Sequence, residues 1–171
     1  AQTRSRGTVC GSIAHADPSA ELPLCLVTLK GHVHLRSAKT ARKVAADDFF
    51  TGMMATAKAD DEMIEAVSFP TPRGEGAAFR EIARRHGDFA IVACAALDSN
   101  TGIRLGVGGV ADMPVARDFP LLDGSALDDA LNTLAWELDA RDDVHATARY
   151  RRELVRRIGS ATIEEAKRCR A

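Results

Sequence analysis

Three strand-length apolar runs in immediate succession, AAFREIARR, FAIVACAALD and IRLGVGGVAD, constrain this chain more than any other feature. The second and third are separated by Ser99-Asn100-Thr101-Gly102, a tetrapeptide made entirely of turn formers. Three such runs in a row read as an antiparallel meander. Beyond them the pattern turns helical. Leu127, Leu131, Leu134 and Leu138 recur at helical spacing behind Ser125 and Asp128, which carry a capping-box signature. Tyr150, Leu154 and Ile158 mark a second helix. Gly159-Ser160 then breaks the pattern, and ATIEEAKRCR offers a final helix whose cations gather at its carboxy end, where the helix dipole favours them.

The front of the chain is patterned differently. The segment LCLVTLKGHVHLR, from Leu24 to Arg36, alternates and is interrupted at Lys30-Gly31, which predicts a hairpin-like pair of short strands. ARKVAADDFFTGM places Asp47-Asp48 before Phe49-Phe50 and suits a short helix with acidic residues in its first turn. EMIEAVSFP alternates and stops at Pro70, giving one more strand. The Pro- and Gly-rich stretch Thr71 to Ala77 is where a front lobe, 1–70, is expected to meet a back lobe, 71–171. No internal repeat is visible.

Composition enters by exclusion. The chain has 171 residues, enough for a core without disulfides or a structural metal. Its formal net charge of -1 supplies no global field for nucleic acid, and no apolar run approaches the roughly 20 residues that span a bilayer. The four cysteines, Cys10, Cys25, Cys94 and Cys169, are scattered without a CxxC pair, so they read as reduced, cytoplasmic thiols, with Cys94 in an apolar core. AQTRSRGTV lacks the apolar region of a signal peptide, and an opening on Ala is consistent with further sequence upstream.

The most unusual segment is RGTVCGSIAHADPSAELP, small residues with a Thr and a Ser ahead of the first clear strand. It reads as a loop whose glycines let backbone approach a ligand and whose amides and hydroxyls can donate to anionic oxygen. The segment resembles the second flavin-contacting loop of xanthine dehydrogenase and carbon monoxide dehydrogenase medium subunits. The resemblance continues through VAADDFFTG, DEMIEAVSFP, FREIARRHGDFAIV, GVGGVADMPV and HATARYRRELVRR, essentially the whole chain.

That resemblance implies an α+β fold: the end of a vanillyl-alcohol-oxidase-type FAD domain, then a three-stranded antiparallel sheet packed with helices. It implies FAD contacts from Thr8, Val9, Cys10, Gly11 and Ser12 through backbone amides and a polar side chain, and from Glu21 as an acceptor. Ile64, near the isoalloxazine, and Arg80, near the flavin, carry over in the same way. Cys10 stands where relatives normally carry the first glycine of a GG pair; were that position to need a positive φ, the side chain would cost of order 1 kcal/mol. Relatives carry about a hundred residues before this point, including the pyrophosphate cradle, so the other half of the site is expected from an amino-terminal segment. The implied function is electron relay from iron–sulfur clusters through FAD to an acceptor, with molybdopterin in a large partner subunit and [2Fe-2S] clusters in a small one. The competing class is a subunit-interaction module that has lost flavin binding.

Other candidates read structurally. His32 and His34 share a strand face, without an evident third ligand. His15-Ala16-Asp17 belongs to the loop, and no catalytic acid, base or metal ligand is assigned. Arg84, Arg85 and Asp88 suit a salt-bridge cluster, with anion binding beside Arg80 as the other option. The basic run Arg149 to Arg157 suits an exposed helix face, or one that docks an acidic partner subunit.

Overall fold

A computed structural model describes residues 6–85 and 87–170. The front part comprises helix α1 (Val9–His15), helix α2 (Glu21–Thr28), strands β1 (His32–Arg36) and β2 (Ala41–Ala45), helix α3 (Ala46–Phe49), strands β3 (Phe50–Gly52) and β4 (Ala55–Thr56), and strand β5 (Met63–Ser68). The back part comprises strands β6 (Gly76–Ile82), β7 (Val92–Asp98), β8 (Ile103–Gly108) and β9 (Val115–Phe119), then helices α4 (Gly124–Glu137) and α5 (Ala148–Cys169). The sheets run β2-β1-β5, β3-β4 and β6-β7-β8-β9, and all pairings are antiparallel.

The expected meander is present, and it gains a fourth strand. Gly76 through Ile82 pair with Asp98 through Val92, and Asp98 through Ala93 pair with Ile103 through Gly108 across the Ser99 to Gly102 turn. Strand β9 then extends the sheet from β8, with Leu105 opposite Arg117. Its sequence VARDF lies half in solvent and has only a short apolar signature, which is why periodicity passes over it.

Each face of this sheet is covered by something different. Val92, Cys94 and Ala96 of β7 and Ile103, Leu105 and Val107 of β8 point one way, into a core with Leu127, Leu131 and Leu134 of α4 and Leu154, Val155, Ile163 and Ala166 of α5. Burial pushes the Cys94 thiol up to about 12, so it is an inert core residue. The alternate residues Ala93 and Ala95 point the other way and meet Leu24 of α2. On β8 the same face carries Gly106 and Gly108. A Cβ at Gly106 would lie 2.0 Å from Thr28 Oγ1, and one at Gly108 would lie 3.1 Å from the Pro18 carbonyl. Missing side chains on the strand therefore let α2 lie flat on the sheet.

Three sequence expectations fail here. LCLVTLKG is not a strand: residues up to Thr28 form α2, and only HVHLR is strand. Pro23, Leu24, Leu26, Val27 and Thr28 are all buried, because α2 is wedged between the sheet and a second core of Ile13, Val33, Leu35, Phe49 and Phe50. A short helix buried nearly all round has no polar face to betray its period. The expected break at Gly159-Ser160 does not occur, and α5 runs unbroken for 22 residues. Gly159 is buried against Leu105 and Leu131, both 3.4 Å from where a Cβ would stand, an ordinary van der Waals distance. The tertiary contacts of α5 with the sheet and α4 hold the helix together despite the roughly 1 kcal/mol cost of a helical glycine. The capping box does not form either: Asp123 is the N-cap of α4, and Ser125 and Asp128 lie inside the helix.

Two buried arginines tie the parts together. Arg104 of β8, 7% exposed, donates through Nη2 to both Asp47 oxygens at 2.7 and 2.9 Å and to the Val27 carbonyl at 3.1 Å, and through Nη1 to Asp118 at 2.8 Å. It thereby pins α2 and α3 to the sheet. Arg151 of α5 donates to the carbonyls of Ile91 at 2.9 Å and Gly109 at 2.5 Å, and to Asp143 at 2.5 Å. The Gly109 amide in turn donates to the Pro18 carbonyl at 2.8 Å, linking α5 through one residue to the turn that precedes α2.

Candidate cofactor site

The segment expected to be a loop is a helix with a built entrance. Thr8 is the N-cap of α1: its backbone is extended, and its Oγ1 accepts from the Gly11 amide at 2.9 Å while its carbonyl accepts from Ser12 at 3.0 Å. The amides of Val9 and Cys10, in the first turn, have no acceptor inside the helix. The helix ends at Ala16, whose left-handed φ of 53° turns the chain towards Asp17. Asp17 Oδ1 then accepts from the Ser19 amide at 2.8 Å, closing the turn that launches α2 with Glu21 in its first turn.

These two helix starts line one cleft. Gly7, Thr8, Val9, Ser12, Ser19, Glu21 and Leu22 face Glu81, Asp88, Phe89 and Ala90 across a volume of about 540 Å³. Of the residues anticipated from the sequence, Thr8, Val9, Ser12 and Glu21 come together here. Cys10 and Gly11 sit in the same turn of α1 but outside the lining. Cys10 has ordinary helical backbone, so the strain expected of a side chain at this position is not realised. Gly11 is close-packed, since a Cβ there would lie 2.9 Å from the capping Thr8 oxygen.

Ile64 and Arg80 are elsewhere. Ile64 pairs with Leu35 in the front sheet and packs on the front core. Arg80 donates through Nε to Glu165 of α5 at 2.8 Å, on the helix-covered side of β6. Strand alternation turns its neighbour Glu81 to the cleft instead. The sequence reading did not single out Glu81, Phe89 and Ala90, which no local sequence pattern marks and which the structure brings to the cleft. Arg84 and Asp88 line an adjoining cleft of about 510 Å³ that shares Ser19, Asp88, Phe89 and Ala90 with the first. His86 lies outside the described residues.

The chemistry of the main cleft is acidic and hydroxylic. Glu21, Glu81 and Asp88 supply carboxylates and Thr8, Ser12 and Ser19 supply hydroxyls, a donor set that accepts from ligand O–H and N–H groups. Among the described residues that line it there is no Lys or Arg to pair with a pyrophosphate. Cys25, one turn after Glu21, has its thiol pushed up by burial and then by the Glu21 charge, which leaves it protonated rather than nucleophilic. His34 Nε2 is hydrogen-bonded with Ser68 Oγ at 2.7 Å, and among the described residues no group of three potential metal ligands converges.

Residues 1–72 match the FAD binding domain in molybdopterin dehydrogenase, and residues 77–166 match the CO dehydrogenase flavoprotein C-terminal domain. The chain belongs to the FAD-binding medium subunits of the molybdenum hydroxylases. It is 37% identical to the nicotine 6-hydroxylase medium subunit of Paenarthrobacter nicotinovorans, over 96% of this chain and 62% of that protein. It is 30% identical to the carbon monoxide dehydrogenase medium chain of Afipia carboxidovorans, over 97% of this chain and 62% of that one. Among solved structures, reconstituted CO dehydrogenase from Oligotropha carboxidovorans superposes with a TM-score of 0.90 at 29% identity, covering 99% of this chain and 64% of that chain. Quinoline 2-oxidoreductase from Pseudomonas putida 86 superposes with a TM-score of 0.86 at 30% identity, covering 98% and 63%. The chain thus spans about 62% of the length of these medium subunits.

Proposed function

We propose that this chain forms one wall of the FAD site in the medium subunit of a molybdenum-dependent dehydrogenase, and that the subunit relays electrons from iron–sulfur clusters through FAD to an acceptor. The observation that supports this reading is the convergence of Thr8, Val9, Ser12 and Glu21 on one cleft. The helix start at Thr8 offers the Val9 amide and the Ser12 hydroxyl, while Glu21 and Glu81 accept from donor groups of the cofactor. On this reading the pyrophosphate is held by groups outside this wall, in the segment by which relatives exceed this chain, since among the described lining residues there is no Lys or Arg. Bound FAD supplies a carrier that takes up and releases electrons one or two at a time.

On this reading residues 1–70 complete a flavin domain and 71–171 form the domain that backs it. Substrate oxidation takes place at molybdopterin in a large subunit, and [2Fe-2S] clusters in a small subunit deliver the electrons. Among the described residues no helix is long and apolar enough to cross a membrane, and we place the assembly in the cytoplasm. The test is cofactor analysis of the full-length subunit: a flavin absorption spectrum with about one FAD per chain is expected, and a folded subunit that takes up no FAD would refute the reading.

A further inference from the structure

The outer surface of the α4–α5 pair carries an aromatic and cationic ridge that neither the cleft nor the core uses. Trp136, near the end of α4, is 61% exposed. The guanidinium of Arg152 lies 4.1 Å from its ring centroid. Arg149, Arg152 and Arg156 follow at i, i+3 and i+7, so they share one stripe of α5. This stripe flanks α4, where Asn132, one turn before Trp136, accepts from Arg156 Nη1 at 2.8 Å.

The ion pairing of this helix is selective. Arg151, Arg156, Arg157 and Arg170 each contact a carboxylate: Asp143, Glu153, Glu153 and Asp98. Among the described residues Arg149, Arg152 and Arg168 of α5 contact none, and of these Arg152 is the one stacked on Trp136. A guanidinium stacked on tryptophan can still present its terminal N–H groups to a carboxylate. An exposed tryptophan beside unpaired arginine has the composition of an interface hot spot, and leaving the indole in water has a hydrophobic cost that a partner removes.

We propose that Trp136, Arg149 and Arg152 form a docking ridge for a partner-subunit surface that is apolar with a discrete carboxylate, placing the carboxylate against Arg152 and apolar atoms against the indole. Charge complementarity selects that occupant. A polyanion such as nucleic acid would meet the exposed carboxylates of Asp128 and Asp129 on the same helix as Trp136, whereas a discrete carboxylate avoids them. The proposal rests on the reading that the chain works within a multi-subunit dehydrogenase.

The test uses the full-length subunit assembled with its molybdopterin and iron–sulfur subunits, with the dissociation constant measured by titration and native mass spectrometry. Trp136→Ala is expected to weaken assembly by about tenfold, and Arg152→Glu by more, while FAD content and thermal midpoint stay at wild-type values. Hydrogen exchange should slow across residues 132–152 on assembly. Variants that assemble with wild-type affinity overturn the ridge and leave the flavin reading standing. So does a loss confined to self-association or to nucleic-acid binding. A wild-type subunit that binds FAD but assembles with neither partner overturns both the ridge and the multi-subunit reading.

Discussion

The two faces of the four-stranded sheet are built from alternate residues of the same strands and do different work. The face under α4 and α5 is filled by Ile103, Leu105, Val107 and Val92, large side chains sealed from water. The face under α2 is lined by Ala93, Ala95, Gly106 and Gly108, with one buried arginine at its edge. Bulk on the first face contributes stability. Its absence on the second brings α2 close to the strands, which sets where Glu21 and Ser19 enter the cleft. One strand period thus encodes both a core and a positioning surface.

The comparison can be broken by substitutions that should act on one face only. Leu105→Ala empties a fully buried position on the α4–α5 face and is expected to cost about 3 kcal/mol in denaturant unfolding. The flavin affinity of the protein that remains folded should be unchanged. Arg104→Leu leaves Asp47, Asp118 and the Val27 carbonyl without their shared donor. Both carboxylates are more than half exposed and regain water, so the expected cost is smaller, about 2 kcal/mol, but flavin affinity should fall with it. Gly106→Ala puts a methyl group 2.0 Å from Thr28 Oγ1, which requires that hydroxyl or α2 to move. About 1 kcal/mol of destabilisation is expected, with a clear loss of flavin affinity, and Thr28→Ala in the same chain should restore much of both.

The smallest effect belongs to the loop that anchors α5. Burial opposes the charge on Asp143, but hydrogen bonds from the Ala146 and His145 amides and from Arg151 outweigh it and hold its carboxyl below the usual carboxylate range. A depressed folded-state value contributes stability that is present above the unfolded value, about 4, and is lost as pH falls through the folded one. Asp143→Asn should therefore cost about 0.5 kcal/mol near neutrality after solvent screening, and the difference from wild type should close in strong acid. Urea midpoints measured across pH would track this difference.

Much of the back part was legible because its elements obey clean periods. The leucines at 127, 131, 134 and 138 all proved buried, and the three strand runs pair as their turn residues suggest. The front was harder to read. Helix α2 has no polar face, and α1 looks like a loop in sequence because its helix depends on Thr8 as a cap and on the packing of Ile13 rather than on helix-forming residues. Gly159 misled for the opposite reason, since a glycine that weakens an isolated helix is tolerated where the helix packs along its length on a sheet and a neighbouring helix. Thr8, Val9, Ser12 and Glu21 were singled out through the resemblance of their segment, and they line one cleft. Glu81 was not, because which of Arg80 and Glu81 faces the cleft depends on the register of β6 against β7, a long-range pairing that no local pattern states.

The central claim is that the surface around Thr8 and Glu21 is a wall of the flavin site. The most direct measurement is FAD titration of the full-length subunit carrying Glu21→Ala, beside a Glu164→Ala control that removes the same charge from α5 on the opposite side of the sheet. The account predicts FAD binding weakened by about tenfold for Glu21→Ala, the loss of one charged hydrogen-bond acceptor, and unchanged for the control. Equal FAD affinity in wild type and Glu21→Ala would contradict it.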